Sequence, residues 1–257
     1  MNITHLIYIP FTGLGKFQGF RGQKWYEERA KIFKNYTLKS LANQANRNFV
    51  LWLSFRPEEL HNPTTREIEN EIKAVGLDYV ITYEGIAMWD DRGVEHNDDL
   101  VPRLGKTIET LKPLIKTDWV YITNFSSDDM FASDVVELIQ SKEPAEKRAF
   151  YFMNGYVYSV PSDQLADWNR DSSGAQYTVC YPKDVILDAQ KWFDYEMDCL
   201  KSHEYIPKCY VAEQLPDGKY CCTVHGNNIS TGWENKFRGK EYFYDEDKSI
   251  ILNKFGI

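Results

Sequence analysis

Short apolar runs alternate with amphipathic stretches through the first half of the chain. Residues 4–9, 49–54, 79–82 and 119–124 are rich in β-branched and aromatic side chains and bounded by turn formers, which predicts four buried strands. Between them the apolar period lengthens. Trp25, Ile32, Phe33, Tyr36 and Leu41 form one stripe over residues 24–43, and a second helix opens at Thr64 or Thr65 and reaches about residue 76. Leu104, Ile108, Leu111 and Ile115 mark a third, its last turn disturbed by Pro113. Strand and helix in this rhythm predict a mostly parallel α/β sheet flanked by helices, with right-handed crossovers.

The second half changes character. Residues 150–160 read as a β-hairpin turning at Asn154-Gly155, with β-formers on both sides. A Ser- and Asp-rich stretch over 162–176 predicts a loop, 184–201 a helix, 219–224 a late strand and 225–232 a Gly/Asn-rich loop. The charged tail from residue 236 ends in an apolar segment, 250–257, suited to docking on the body. No repeat or linker divides the chain, so 1–257 is expected to be one domain with a smaller antiparallel part in its second half. Gly13-Leu-Gly15 lacks the third glycine of a dinucleotide fingerprint and reads as a loop.

Composition narrows the function. A net charge of −8 argues against a nucleic-acid partner, which would call for a basic stripe. Five cysteines (Cys180, Cys199, Cys209, Cys221, Cys222) without disulfide-like spacing point to a reducing compartment. Cys221, Cys222 and His225 do not make a zinc site, because adjacent strand residues face opposite ways and no second pair follows. With no signal-like or transmembrane-length segment, the expectation is a cytoplasmic protein, with peripheral membrane association left open.

The chemistry concentrates at Asp128-Asp129, directly after the strand at 119–124. Open α/β sheets bind ligands at the carboxyl ends of their strands. Paired carboxylates there suit a hard divalent ion, Mn²⁺ or Mg²⁺, that also holds substrate phosphates. The competing reading is a helix N-terminus capped by Ser126 or Ser127 and opened by two acids.

The strand order with Ser127-Asp128-Asp129 resembles glycosyltransferases of the GT-A fold, whose DXD-type carboxylates hold a divalent ion on a sugar nucleotide. Ser40-Leu-Ala-Asn-Gln44, followed by Asn48-Phe-Val-Leu-Trp52, is similar to the opening of family 2 transferases. Trp25, Arg29, Phe33, Ser40-Leu41 and Gln44, with the late Val224-His-Gly-Asn-Asn-Ile-Ser230, resemble a rhamnosyltransferase-like bacterial group. In place of the usual first acid this chain has Ser126.

The resemblance implies a GT-A-like, Rossmann-like fold in which residues 1–130 bind the nucleotide sugar and 131–257 the acceptor, a glycan or a lipid-linked molecule. It implies Asp128, Asp129 and His225 as metal ligands, and Thr12, Arg56, Arg103, Ser127 and Asp128 as donor-binding residues. For an inverting transfer a carboxylate must take the acceptor's proton. Of Asp184, Asp188, Asp194 and Glu204, Glu204 is preferred, with His203 beside it to orient the base or bind acceptor. Arg56 can instead pair with Glu58 or Glu59, and His203 and Glu204 can simply end a helix. Trp168, Tyr177 and Trp233 are candidate sugar platforms or core residues. Two other classes stay open. A metal-dependent phosphoesterase or nucleotidyltransferase would call for more clustered carboxylates or histidines. A non-catalytic carbohydrate-binding protein would not call for the acidic pair.

Overall fold

A computed structural model describes residues 3–12, 22–86, 100–196, 203–228, 232–233 and 239–257. Four parallel strands carry the first half: β1 (Thr4–Ile9), β2 (Val50–Ser54), β3 (Tyr79–Thr82) and β4 (Trp119–Asn124), side by side in the order β3-β2-β1-β4. Alternation along each strand sends Ile7, Ile9, Leu51 and Leu53 to one face and Leu6, Tyr8, Trp52 and Val120 to the other. Both faces are covered, which is why these strands read as unbroken apolar runs. On the first lie α1 (Gly22–Ile32), a π-helical turn at Phe33–Thr37, α2 (Leu38–Ala42) and α3 (Pro63–Ala74). On the second lies α4 (Leu100–Leu111). Asn62 caps α3 by accepting from the Thr64 N–H at 2.9 Å, so the helix begins at Pro63, one residue before the earlier of the two expected openings.

The rest of the chain adds β5 (Asp129–Phe131), α5 (Val135–Gln140), β6 (Arg148–Tyr151), β7 (Gly155–Ser159), β8 (Gln164–Trp168) and β9 (Tyr177–Pro182). It continues with α6 (Lys183–Ile186), α7 (Ala189–Glu196), α8 (Ile206–Cys209), β10 (Val211–Gln214), β11 (Tyr220–Val224), β12 (Glu241–Tyr242) and α9 (Asp245–Leu252). The larger sheet has the order β10-β6-β9-β4-β1-β2-β3, with β9 antiparallel to both neighbours. The smaller, β12-β8-β7-β11-β5, shares the core of α1–α3 through Met130, Phe131, Val157, Leu165 and Tyr220. The chain is therefore a mixed α/β protein with a mostly parallel sheet between helices and a second, mainly antiparallel sheet.

Three expectations change. The hairpin at Asn154-Gly155 does not form, because β6 and β7 belong to different sheets. Gly155 serves close approach instead: a Cβ there would lie 2.5 Å from the Tyr220 carbonyl and 2.8 Å from its ring. The hairpin is β7 with β8, so the supposed loop 162–176 contains a strand. Polar Ser162, Asp163 and Asp167 mask the buried Leu165, Ala166 and Trp168, of which Ala166 and Trp168 share one face. The helix expected over 184–201 is broken after Ile186, where Asp188 Oδ1 accepts from the N–H groups of Gln190 and Lys191 at 3.0 Å each and starts α7 anew. Its residues 197–201, like the Gly13-Leu-Gly15 loop, lie outside the described residues. The tail docks as expected, through buried Ile251 and Phe255.

His5 sits wholly inside. Gln140 Nε2 donates to its Nδ1 at 3.1 Å, so the ring proton is on Nε2, which contacts the Thr123 hydroxyl at 2.8 Å. Burial pulls its pKa down to about 3. Between that value and the ordinary 6.5 or so, the unfolded chain takes a proton that the folded one refuses. This contribution to stability is complete above about pH 6.5 and is lost as pH falls toward 3. Urea titrations from pH 7 to 4 should show a decline that His5→Asn flattens; an unchanged slope refutes the assignment. At Gly155, Gly155→Val should lower the urea midpoint by an amount worth about 1–3 kcal/mol, the usual cost of overpacking.

Candidate functional site

The parallel half places its switch point between β1 and β4: successive strands run outward from β1 through β2 to β3, and the next lands on β1's other side. The crevice at such a point is where α/β sheets bind ligands. Thr12 follows β1 there and Asp128 follows β4.

The site is built on Asp128, which is 7% exposed. Its Oδ2 receives the Arg29 guanidinium from α1 as an ion pair, His225 Nε2 at 3.1 Å and Asn228 Nδ2 at 3.2 Å. Arg29 is itself 4% exposed, with the Trp25 ring 5.3 Å from its guanidinium carbon. The segment after β11 is folded to meet it. Asn228 accepts from the His225 N–H at 2.8 Å and donates to the Thr223 carbonyl at 2.7 Å. Asn227 donates its N–H to His225 Nδ1 at 3.3 Å, and its carbonyl accepts from the Trp25 indole at 3.1 Å. His225 Nε2 thereby faces the ion pair, 3.1 Å from both Asp128 Oδ2 and Arg29 Nη1. Burial pushes the Asp128 carboxyl up, but the Arg29 charge and the His225 hydrogen bond outweigh it and hold the pKa below the usual value.

Asp129 turns the other way, as the first residue of β5 must relative to its neighbour. It bonds Gln176 Nε2, the Thr223 N–H at 3.3 Å, the Cys222 thiol and the Ser126 hydroxyl. Burial, then the nearby Asp128 charge, raises its pKa to about 7. Two further residues hold this segment. Ser40 Oγ accepts from the Phe131 N–H at 3.3 Å, while Gln44 donates to the Ala132 carbonyl at 2.8 Å and accepts from the Val136 N–H at 3.1 Å. The acidic pair is thus not a helix opening: β5 follows it, and α5 begins only at Val135.

In this geometry the donor set does not fit a divalent ion. Asp128 and Asp129 do not converge, and His225 Nε2 is already engaged with both Asp128 and Arg29. Among the described residues no group of three or more His, Cys, Asp and Glu is arranged to hold a metal. Arg29 already stands against Asp128 and neutralises the charge that a divalent ion would bind.

The other candidates fall into two groups. Thr12, Arg56 and Arg103 gather beyond β1, β2 and β3. The Thr12 hydroxyl accepts from the Arg56 N–H at 3.1 Å, and Arg103 donates to the carbonyls of Glu84 and Gly85 at 3.3 and 3.0 Å. The Arg56 guanidinium lies 3.6 Å from buried Glu59, the ion-pair alternative weighed for it. Ser127 is buried in the turn before β5. Glu204 is exposed and accepts from Ser172 Oγ at 3.2 Å; the His203 carbonyl accepts from Ser173 Oγ at 2.6 Å. The 172–176 segment joins this group to the acidic pair, since Gln176 reaches Asp129 and the Ala175 carbonyl accepts from Asn124 at 2.8 Å. Trp168 is core, stacked beneath Arg170, and Trp233 packs partly buried against the core. Tyr177 lines a small hollow with Tyr8, Trp52, Tyr181 and Trp192. The sequence reading gave no role to Arg29, Asn228, Gln176 or Thr223. Arg29 had a signal: it falls on the stripe of Trp25 and Phe33, and a cation on a buried helix face calls for a buried anion.

Asp128→Asn leaves Arg29 an uncompensated buried charge and should cost about 3–5 kcal/mol, read from denaturant midpoints. A loss under about 1 kcal/mol, the range of exposed pairs, would contradict the burial of this contact.

No family model and no curated protein matches the chain. Among solved structures it is similar to the inositol-1-phosphate CTP transferase from T. maritima, at a TM-score of 0.41 and 10% sequence identity, over 89% of this chain and 92% of that chain.

Proposed function

We propose that the protein is a glycosyltransferase of GT-A type, transferring a hexosyl or deoxyhexosyl group from a nucleotide sugar to a hydroxyl of a glycan or lipid-linked acceptor. The observation that carries the reading is the buried Asp128, bound by Arg29, His225 and Asn228 beyond the strand that flanks the switch point. A fixed, water-poor charge array of this kind can hold a diphosphate leaving group in register without reorganising during reaction. In this reading Thr12, Arg56 and Arg103, beyond the neighbouring strands, would meet the nucleotide.

In the proposed reaction the acceptor oxygen bonds to the anomeric carbon as the bond from that carbon to the diphosphate oxygen breaks. The electron pair leaves with the diphosphate, and the acceptor's proton passes to the Glu204 carboxylate. Exposure suits Glu204 to this role, because an acceptor must reach it. Its hydrogen bond from Ser172, in the segment that continues to Gln176 and Asp129, ties the base to the donor side. Among the described residues no helix is long and apolar enough to cross a membrane, so a lipid-linked acceptor would be met at the surface.

Thermal denaturation with UDP-, GDP- and dTDP-sugars tests the reading directly. A donor at about a hundred times its Kd should stabilise the fold by about 2.7 kcal/mol. If no nucleotide sugar shifts the transition, the reading fails. With the donor known, Glu204→Gln should lower transfer by about 10²–10⁴-fold while donor affinity is retained. Transfer near the wild-type rate would place the base elsewhere.

A further inference from the structure

We infer that Arg29, rather than a divalent ion, is the resident cation of the Asp128 site. Three observations lead there independently of one another. Arg29 is a fully enclosed guanidinium whose ion-pair partner is Asp128, and it lies 3.1 Å from His225 Nε2, so it stands between two of the three residues expected to ligate a metal. The imidazole is engaged at both nitrogens: Nδ1 accepts from the Asn227 N–H at 3.3 Å, and Nε2 lies 3.1 Å from both Asp128 Oδ2 and Arg29 Nη1, so neither nitrogen faces an open position for an ion. The third expected ligand, Asp129, is turned into a separate hydrogen-bond set with Gln176, Thr223 and Cys222.

The arrangement also has the features of a built site rather than a chance contact. Arg29 Nε is buried with no hydrogen-bond partner, so the guanidinium retains a donor beyond those spent on Asp128. Trp25 binds the segment after β11 through its indole and stacks near the guanidinium, so one turn of α1 positions both the cation and the loop facing it. Arg is the residue whose rigid fork suits phosphate oxygens, and it keeps its charge at any physiological pH. The ligand class this cation takes is the diphosphate of a nucleotide. That part rests on the glycosyl-transfer reading, whereas the exclusion of a divalent ion by Arg29 does not.

The two parts are separable in one set of measurements on the wild-type protein. Paramagnetic Mn²⁺, titrated in the absence of nucleotide, should leave the His225 imidazole resonances sharp. Binding of UDP, GDP, CDP and dTDP, followed by calorimetry, should identify a nucleoside diphosphate that binds equally well in EDTA and in Mn²⁺. Arg29→Gln should then weaken that diphosphate by about ten- to a hundredfold, the loss expected for a charge-assisted hydrogen bond. Broadening of His225 by Mn²⁺, or abolition of nucleotide binding by EDTA, overturns the inference. If no nucleoside diphosphate binds under either condition, the glycosyl-transfer reading falls, and the His225 resonances still decide whether Arg29 excludes the ion. Because both wild-type measurements stand alone, failure of the Arg29 variant to fold leaves the inference decidable.

Discussion

The ion pair between Arg29 and Asp128 is the contact on which the rest of the molecule depends. One partner comes from the first helix and the other from the turn after the fourth strand, so the contact crosses from the helical layer to the junction of the two sheets. Taking two charges out of water costs several kcal/mol apiece, which is recovered only when remaining donors and acceptors are satisfied. The chain meets that demand by folding the segment after β11 over the carboxylate, where His225 and Asn228 complete its hydrogen bonds. A charge pair like this fixes geometry more than it adds stability, and it explains why such polar residues occupy the middle of a core.

Neighbouring carboxylates in sequence have opposite fates here, and the strand geometry is the cause. Asp128 is kept ionised by a cation, while Asp129, one residue on and on the other side of β5, has its pKa lifted to about 7 among an amide, a thiol and a hydroxyl. Reading the two as one unit is natural from sequence, because a motif records adjacency and not direction. The same limitation applies to His225, whose role follows from which ring nitrogen faces the Asn227 amide.

Much of the fold was legible where burial is uniform. The runs ending at Ile9, Ser54, Thr82 and Asn124 are apolar on both faces because helices cover both, and periodicity reveals that directly. Legibility failed where a local signal served another purpose. Asn154-Gly155 has turn chemistry, yet its glycine exists to admit the Tyr220 backbone. Strand β8 carries polar residues on its outer face and so resembles a loop. At the site, the position of Asp128 beyond a central strand followed from pattern alone. The identity of its partners did not, since Arg29 and Asn228 lie 99 and 100 residues away and only the fold brings them together.

The π-helical turn at Phe33–Thr37 gives this arrangement a dependence on chain length as well as on residue identity. Arg29 lies before it, and Ser40 and Gln44, which grip the backbone beyond Asp129, lie after it. A π turn carries one residue more than an α turn. Removing that residue would close an ordinary α turn and leave the helix on either side in phase, so the π turn is the one place where this spacing can change by a residue without turning Arg29 away from Ser40 and Gln44. A single deletion in the α-helical flanks has no such accommodation and would rotate one side by about 100° relative to the other. Length changes in relatives of this chain are therefore expected at the π turn and in the surface loops, and not within the flanking helical turns.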